Sequence, residues 1–195
     1  MNYLAHLYLA DETAHSLVGN LLGDFAPGDC SRRYHPEICR GILMHRQIDR
    51  FTDSHPLFVR SRNRIHRDFG LFRGVMVDIF YDHFLARNWE LYSKTRLEDF
   101  CALVYEILLE QEPILPARLR EILPRMVSQN WLLSYRKKES IASALRGIGR
   151  RFSRKNNLAE GFQEFQYHYH SLENDFQEFF PELIQHARQI RSRKG

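Results

Sequence analysis

The segment DIFYDHFLARNW, from Asp78 to Trp89, most constrains how this chain can fold. Together with the residues from Val75 onward, its apolar side chains spread around nearly the whole circumference of a helix, which is typical of a helix buried on most sides. Asp78 and Asp82 lie four residues apart on one stripe of that helix, and His83 lies further round. Because an unpaired buried carboxylate is costly, the sequence predicts partners for these acids elsewhere in the chain.

Helical periodicity dominates the rest of the chain, and no segment shows a convincing strand alternation. A length of 195 residues with 44% hydrophobic residues is enough for one domain with a substantial core. The sequence therefore predicts an all-α, single-domain helical bundle over residues 1–195, in which residues 188–195 form a disordered tail. The predicted helices are Asn2 to Leu9, Ser16 to Phe25, Pro36 to Thr52, Leu57 to Phe69, Phe72 to Tyr92, Leu97 to Gln111, Pro116 to Asn130, Lys138 to Gly149, Leu158 to Phe179, and a last one from Glu182.

The sequence carries no sign of a membrane or export segment. No apolar run approaches the roughly 20 residues that cross a bilayer, and MNYLAHLYLADE has neither a basic region nor a small-residue cleavage site. We therefore expect a cytoplasmic protein without a membrane partner. The three cysteines, Cys30, Cys39 and Cys101, are odd in number and lack metal-knuckle spacing, which predicts unbridged thiols in a reducing compartment.

Positive residues cluster in three places, although the net charge is only +4. The clusters are Arg60 to Arg67, Arg146 to Lys155, and RQIRSRKG at the C-terminus. Such clusters attract an acidic protein, a phosphate-bearing ligand or nucleic acid through long-range electrostatics. The alternative interpretation is a solvated helical surface with a frayed tail, which needs no partner.

Further histidines and aspartates lie on three other apolar segments. In HRQIDRFTD, the residues His45, Asp49 and Asp53 follow one another at intervals of four, along one face of a helix. His6 lies within NYLAHLYLA, and Asp24 lies near the end of GNLLGDF. If these helices pack as a bundle, their polar groups can converge on one interior point, as in the metal sites of other bundles.

Each of these residues also has a structural interpretation. His6 could be a hydrogen-bonded core residue, and Asp49 could pair with a neighbouring arginine. Asp53 could cap the next helix, and Asp24 could be a turn residue. The acids of the segment that begins at Asp78 are harder to explain, because like charges four apart repel each other and no Lys or Arg is adjacent. A shared metal site accounts for all of them at once.

Carboxylate and imidazole ligands without thiolate suit Mn²⁺, Fe²⁺, Mg²⁺ or Zn²⁺. Such a metal polarises a phosphoryl oxygen and lowers the pKa of bound water, so this ligand set favours hydrolysis of a phosphate ester. The chain contains no GxSxG, P-loop or GxGxxG motif, which leaves nucleophile-elbow, nucleoside-triphosphate and Rossmann chemistry without support.

The segments MNYLAHLYLA, GNLLGDF, MHRQIDRFTD, DIFYDHFLARNW and NWLLSYR resemble, in the same order, those of the acyl carrier protein phosphodiesterases, also called acyl carrier protein hydrolases. This resemblance implies removal of the 4′-phosphopantetheine arm from holo-acyl carrier protein, with Mn²⁺ as the cofactor or, alternatively, Mg²⁺, Fe²⁺ or Co²⁺. It also implies a likeness to the all-α HD-type metal-dependent phosphohydrolases. The chain departs from that type in having no His-Asp dipeptide, only the reversed pair Asp82-His83.

The matching motifs imply a set of site residues by position. The expected metal ligands are His6, Asp24, His45 and Asp78. The residues expected to complete the shell or to stabilise the leaving group are Asp24, Asp49, Asp82, His83 and Arg46. The expected reaction is attack of metal-activated water on the phosphorus of the serine-linked phosphodiester.

Acyl carrier proteins are small and strongly acidic, so an enzyme acting on one needs a positive docking face. Arg60, Arg62 and Arg64 are expected to form that face, and no nucleic acid partner is expected. Two other functions stay open. One is an HD-like phosphohydrolase acting on a nucleotide or another small phosphodiester. The other is a non-catalytic basic helical adaptor whose polar residues form a buried network.

Overall fold

The computed structural model describes residues 1–150 and 156–192, so part of the basic segment from Arg146 to Lys155 lies outside the described residues. Within these ranges the chain forms helices and no β-strand, which confirms the predicted all-α single domain. No described helix is both long and apolar enough to span a bilayer. The α-helices are α1 Tyr3–Leu9, α2 Ala14–Leu22, α3 Pro36–Ser54, α4 Pro56–Arg64, α5 Phe72–Arg87, α6 Leu97–Glu110, α7 Ala117–Ser128, α8 Trp131–Ser134, α9 Lys138–Gly149, α10 Phe162–Tyr167 and α11 Tyr169–Ser192. The 3-10 helices are Arg67–Phe69, Trp89–Leu91, Glu112–Ile114 and Leu158–Glu160.

Helix α5 is central to the core, as its apolar pattern predicts. Every residue from Met76 to Ala86 is buried except Asp78. The helix packs against α1, α4, α9 and α11, so it has apolar neighbours on most sides. Asp78 is the one acid of this helix whose side chain reaches partly to solvent, and it therefore lies at the edge of the core.

Asp82 anchors helix α1 to helix α5. Its carboxylate oxygens accept hydrogen bonds from the backbone N–H groups of Leu4, at 2.8 Å, and Ala5, at 3.0 Å. These donors belong to the first turn of α1, where backbone N–H groups lack intrahelical partners and the helix dipole favours a negative charge. The buried carboxylate therefore has backbone partners, and its effect is to fix the helix that carries His6.

Helices α2 and α3 run parallel and approach each other closely along one seam. Pairs across the seam are 22 residues apart in the chain: 15 with 37, 19 with 41, and 23 with 45. At its centre a Cβ on Gly41 would come within 2.8 Å of the Cα of Gly19. At one end a Cβ on Gly23 would collide with the ring of His45. Glycine is needed here because the two backbones leave no room for a side chain.

This seam yields a stability prediction. Gly19→Ala should lower the free energy of unfolding by about 2 kcal/mol, since its Cβ would collide with the carbonyl oxygen of Ile38. Gly74→Ala is the matched control, because a Cβ at that position on α5 meets nothing within 4 Å. The control should be neutral or stabilising by up to about 1 kcal/mol. Denaturant unfolding measures both, and equal effects of the two substitutions would contradict the close packing.

The bonding of the cysteines differs from the prediction. Cys30 and Cys39 form a disulfide, with their Cα atoms 5.6 Å apart, whereas Cys101 is free and buried. The prediction of unbridged thiols is therefore wrong for the first two. The turn of residues 31–34 returns the chain to the start of α3, which brings the two Cα atoms within the range that a disulfide requires. Sequence spacing does not reveal this return of the chain.

Helix α11 continues through Pro181, where the sequence predicts a break. The helix buries Phe176, Phe179, Phe180 and Leu183 on one face, and this packing outweighs the hydrogen bond that proline removes. The helix extends to Ser192, so residues 188–192 are helical where a disordered tail was expected, and residues 193–195 lie outside the described residues.

The predicted helix over Phe72 to Tyr92 is also shorter than expected, because α5 ends at Arg87. The indole Nε1 of buried Trp89 donates to the carbonyl oxygen of Thr95 at 2.7 Å, and this bond accompanies the turn of the chain away from the α5 axis. The predicted helix from Leu158 to Phe179 is instead divided into the 3-10 helix Leu158–Glu160, α10 and the first part of α11. The other predicted helices are found, with ends that shift by a few residues or with a terminal turn that forms a separate short helix.

Candidate functional site

Five of the predicted site residues lie together where α1, α3, α5 and the end of α2 meet. The side chains of His6 and His45 are buried, at 1% and 2% exposure, and form the floor of the site. The carboxylates of Asp24, Asp49 and Asp78 are 41%, 37% and 24% exposed and lie at its mouth. The site is thus a floor of imidazoles below carboxylates that solvent can reach.

Asp49 links the two histidines. Its Oδ1 atom lies 3.0 Å from Nε2 of His6, and its Oδ2 atom lies 3.0 Å from Nε2 of His45. The two imidazole rings stack with their centroids 3.6 Å apart. Asp24 approaches from the end of α2, with its Oδ1 atom 3.5 Å from the same Nε2 of His45. The Nε2 atoms of both rings therefore face a common group of carboxylate oxygens.

The His45 ring is held in one tautomer by a backbone carbonyl. Its Nδ1 atom lies 2.7 Å from the carbonyl oxygen of Asn20, and because a carbonyl can only accept, Nδ1 must carry a proton. Nε2 is then the atom that can take up a proton or bind a metal. A second hydrogen bond that orients a ring in this way is characteristic of metal-binding histidines.

The two stacked histidines differ in charge. Although burial lowers the pKa of His45, hydrogen bonds and charge interactions with Asp24 and Asp49 raise it to about 9. Burial, together with the nearby charge of His45, lowers the pKa of His6 to about 4. The pair therefore carries one positive charge in the protein without a metal, because two adjacent imidazolium rings would repel each other.

The carboxylates stabilise positive charge at this point. The amino group of Met1 lies 3.1 Å from Oδ1 of Asp49 and 3.1 Å from Oδ1 of Asp78. Burial lowers the pKa of this amino group, but the two carboxylates raise it to about 11 overall. These oxygens thus stabilise the positive charge of the amino group although burial opposes it.

The donor set fits a divalent metal ion. Ligand atoms of His6, His45 and Asp49 all lie within 4.8 Å of one another. Next to this group, the buried Nδ1 atom of His6 has no hydrogen-bond partner among the described residues. Imidazole nitrogens combined with carboxylate oxygens suit Mn²⁺, Fe²⁺ or Zn²⁺. Asp49, which sequence reasoning placed among the supporting residues, belongs to the core of this cluster.

Three predicted catalytic residues make other contacts. Asp82 binds the start of α1, as described above, and burial raises the pKa of its carboxyl group to about 7. Nδ1 of His83 lies 2.7 Å from the carbonyl oxygen of Tyr135, and its Nε2 lies 3.0 Å from the hydroxyl of Tyr169. Burial lowers the pKa of this histidine to about 4, so the ring is neutral. Both side chains hold helices in place.

Arg46, the third of these residues, binds the loop that follows Asp24. Its Nη2 atom donates to the carbonyl oxygens of Ala26, at 2.7 Å, and Gly28, at 2.9 Å. The guanidinium therefore fixes the loop next to the mouth of the site. Sequence reasoning missed the carbonyl of Asn20 as a partner of His45, because a backbone acceptor leaves no signal in residue types.

The proposed docking arginines differ in their environment. Arg60 Nη2 lies 2.7 Å from Oδ1 of Asp175, and Arg64 Nε lies 2.9 Å from its Oδ2. Asp175 is buried and also accepts a hydrogen bond from the hydroxyl of Ser61 at 2.7 Å. These bonds join α4 to α11. Arg62 makes no ion pair with any described residue. Of the three arginines, it is therefore the one whose charge is available to a partner.

The fold and the site define an all-α protein with a histidine and carboxylate centre. A family model described as acyl carrier protein phosphodiesterase matches residues 1–183. The acyl carrier protein phosphodiesterase of Yersinia enterocolitica is 37% identical over 188 residues, 96% of this chain and 97% of that protein. Those of Photorhabdus laumondii and Escherichia coli O45:K1 are each 34% identical over 96% of this chain, and cover 95% and 97% of those proteins.

The chain belongs to the acyl carrier protein phosphodiesterase family, a family of phosphoric diester hydrolases. No solved structure matches it. The sequence resemblance is thereby confirmed at the level of the family.

The centre yields a prediction about metal binding. Asp49→Asn should weaken Mn²⁺ binding at least about tenfold, because it removes the carboxylate that faces both histidines. Asp99→Asn, which makes the same change at an exposed position on α6, is the matched control and should bind as the unmodified protein does. Electron paramagnetic resonance of free Mn²⁺ measures both. Equal affinities would place the ion elsewhere.

Proposed function

We propose that this protein hydrolyses the phosphodiester that joins 4′-phosphopantetheine to the serine of holo-acyl carrier protein. The products would be apo-acyl carrier protein and free 4′-phosphopantetheine. Family membership supports the substrate class. The observation that carries the proposal is the carboxylate of Asp49 between the Nε2 atoms of two buried, stacked histidines. A cytoplasmic location is part of the same proposal.

His6, His45 and Asp49 would hold the divalent metal, with Asp24 and Asp78 beside them at the mouth. Mn²⁺ is the first choice, with Mg²⁺, Fe²⁺ or Co²⁺ as alternatives. When bound, such an ion polarises a phosphoryl oxygen and lowers the pKa of water, which makes a nucleophile available at neutral pH.

Residues of the chain itself orient the His45 ring and accept the proton of the attacking water. The carbonyl of Asn20 keeps the proton of His45 on Nδ1, so Nε2 stays directed at the carboxylates. Asp24 has the most exposed carboxylate of the three, so it can reach an incoming phosphodiester and accept the proton of the attacking water. Arg46 positions the loop after Asp24 through two carbonyl oxygens, and this assigns it a positioning role.

The test of this function is the intact mass of holo-acyl carrier protein after incubation with the protein. With Mn²⁺ present the phosphopantetheine mass should be lost, and a chelator should prevent the loss. Asp49→Asn should reduce the rate at least about 100-fold, whereas Asp99→Asn should leave it close to the unmodified rate. If the mass stays constant while Mn²⁺ binds, the substrate proposal is wrong. Small phosphodiesters, the HD-like alternative, then become the substrates to test.

The docking face of the proposed substrate complex gives a separate prediction. Arg62→Glu should raise KM several-fold and reduce the salt dependence of KM, because Arg62 carries the unpaired charge on α4. Reversing Arg60 or Arg64 would also break the contacts with buried Asp175, so those variants would mix binding with stability.

The matched control for this variant is Arg118→Glu, an exposed residue on α7 with the same change of charge. It should leave KM unchanged. If both reversals raise KM equally, only the net charge of the protein matters and α4 is not the docking face.

A further inference from the structure

A second group of metal-ligating side chains lies outside the centre described above. His15 on α2, His35 before α3 and Glu37 in the first turn of α3 place ligand atoms within 4.8 Å of one another. The rings of His15 and His35 stack with their centroids 4.6 Å apart. Nδ1 of His15 lies 3.2 Å from Oε2 of Glu37. The three side chains are half-buried or exposed, so an ion can reach them from solvent.

The donor atoms in this group are held by bonds that a cation can replace. A proton between His15 and Glu37 makes their contact, and a metal ion can take the place of that proton. Nδ1 of His35 accepts a bond of 3.3 Å from the backbone N–H of Glu37, which is a long contact. The second carboxylate oxygen of Glu37 pairs with Arg40 at 2.8 Å, and this leaves Oε2 for a ligand.

The position of the group on the fold is rigid. His15 and Glu37 form one pair of the α2 and α3 seam, one helical turn before the contact of Gly19 with Gly41. His35 follows the turn that the disulfide of Cys30 closes and directly precedes α3. Ligands held in place before an ion arrives lose little conformational freedom on binding it.

We propose that His15, His35 and Glu37 form a second metal site, which takes Zn²⁺ at the outer end of the α2 and α3 seam. Two imidazoles and one carboxylate are a ligand set that Zn²⁺ accepts, with water in the fourth position. Imidazole ligands favour this ion over Mg²⁺ or Ca²⁺, which prefer oxygen. The inference does not depend on the function proposed above, because none of its residues belongs to the His6, His45 and Asp49 centre.

Binding at this site would clamp the two helices that build the other centre. The site lies about 12 Å along the helix axis from Gly23, where the seam meets His45. An ion that binds the folded protein and not the unfolded chain raises the melting temperature. Zn²⁺ is therefore expected to stabilise the arrangement of α2 and α3.

The test counts Zn²⁺ ions per protein by competition with a chromogenic chelator, on untagged protein whose disulfide is intact by mass. The unmodified protein should bind one equivalent more than His15→Ala and one more than Glu37→Gln. His170→Ala, which removes a histidine whose side chain is 91% exposed, is the control and should bind as the unmodified protein does. Circular dichroism verifies that each variant is folded.

The Asp49→Asn variant separates the two sites. In that background the His15-dependent equivalent of Zn²⁺ should remain, together with its increase in melting temperature. Arg40→Gln should tighten binding, because it removes a positive charge from Glu37. The proposal is overturned if His15→Ala and Glu37→Gln bind as many ions as the unmodified protein, or if the extra equivalent is present only after the disulfide is reduced.

Discussion

The close approach of α2 and α3 is the constraint on which the rest of the structure depends. With glycine at positions 19 and 41, the two backbones come near enough for a parallel seam in fixed register. This register puts the ring of His45 against Gly23 and its Nδ1 atom against the carbonyl of Asn20. It also brings Asp24, at the end of one helix, next to Asp49 on the other through their common partner His45. The geometry of the centre is thus a consequence of how tightly two helices pack.

The centre brings together charged groups whose burial in the apolar interior would be unfavourable if they were unpaired. Two histidines lie buried in van der Waals contact, and the carboxylates of Asp24 and Asp49 face them from the solvent side. Asp78 joins Asp49 through the amino group of Met1. Opposite effects act on the two rings, since carboxylates raise the pKa of His45 to about 9 while burial lowers that of His6 to about 4. Such an arrangement stabilises positive charge between floor and mouth, as the proposed metal-dependent reaction would require.

Asp78, Asp82 and His83 on α5 have three different sets of partners. Asp78 joins the carboxylates at the mouth, where burial raises its pKa to about 6. Asp82 fixes the start of α1 through backbone N–H groups, and His83 bonds to Tyr135 and Tyr169. One buried helix therefore supplies a member of the site, a support for the helix that carries His6, and a link to the C-terminal part of the chain.

The sequence by itself determined the all-α class, the burial of α5 and the candidates His6, Asp24, His45, Asp49 and Asp78, because hydrophobic periodicity and costly buried charge are local properties. It also determined the family, because each motif that carries the resemblance is an uninterrupted stretch of sequence. Only the tertiary structure decided that Asp49 lies at the core of the cluster and that Arg60 and Arg64 pair with Asp175. It also decided the disulfide between Cys30 and Cys39 and the continuation of α11 through Pro181. Each of these depends on contacts between segments that the fold brings together, and residue type and spacing do not reveal such contacts.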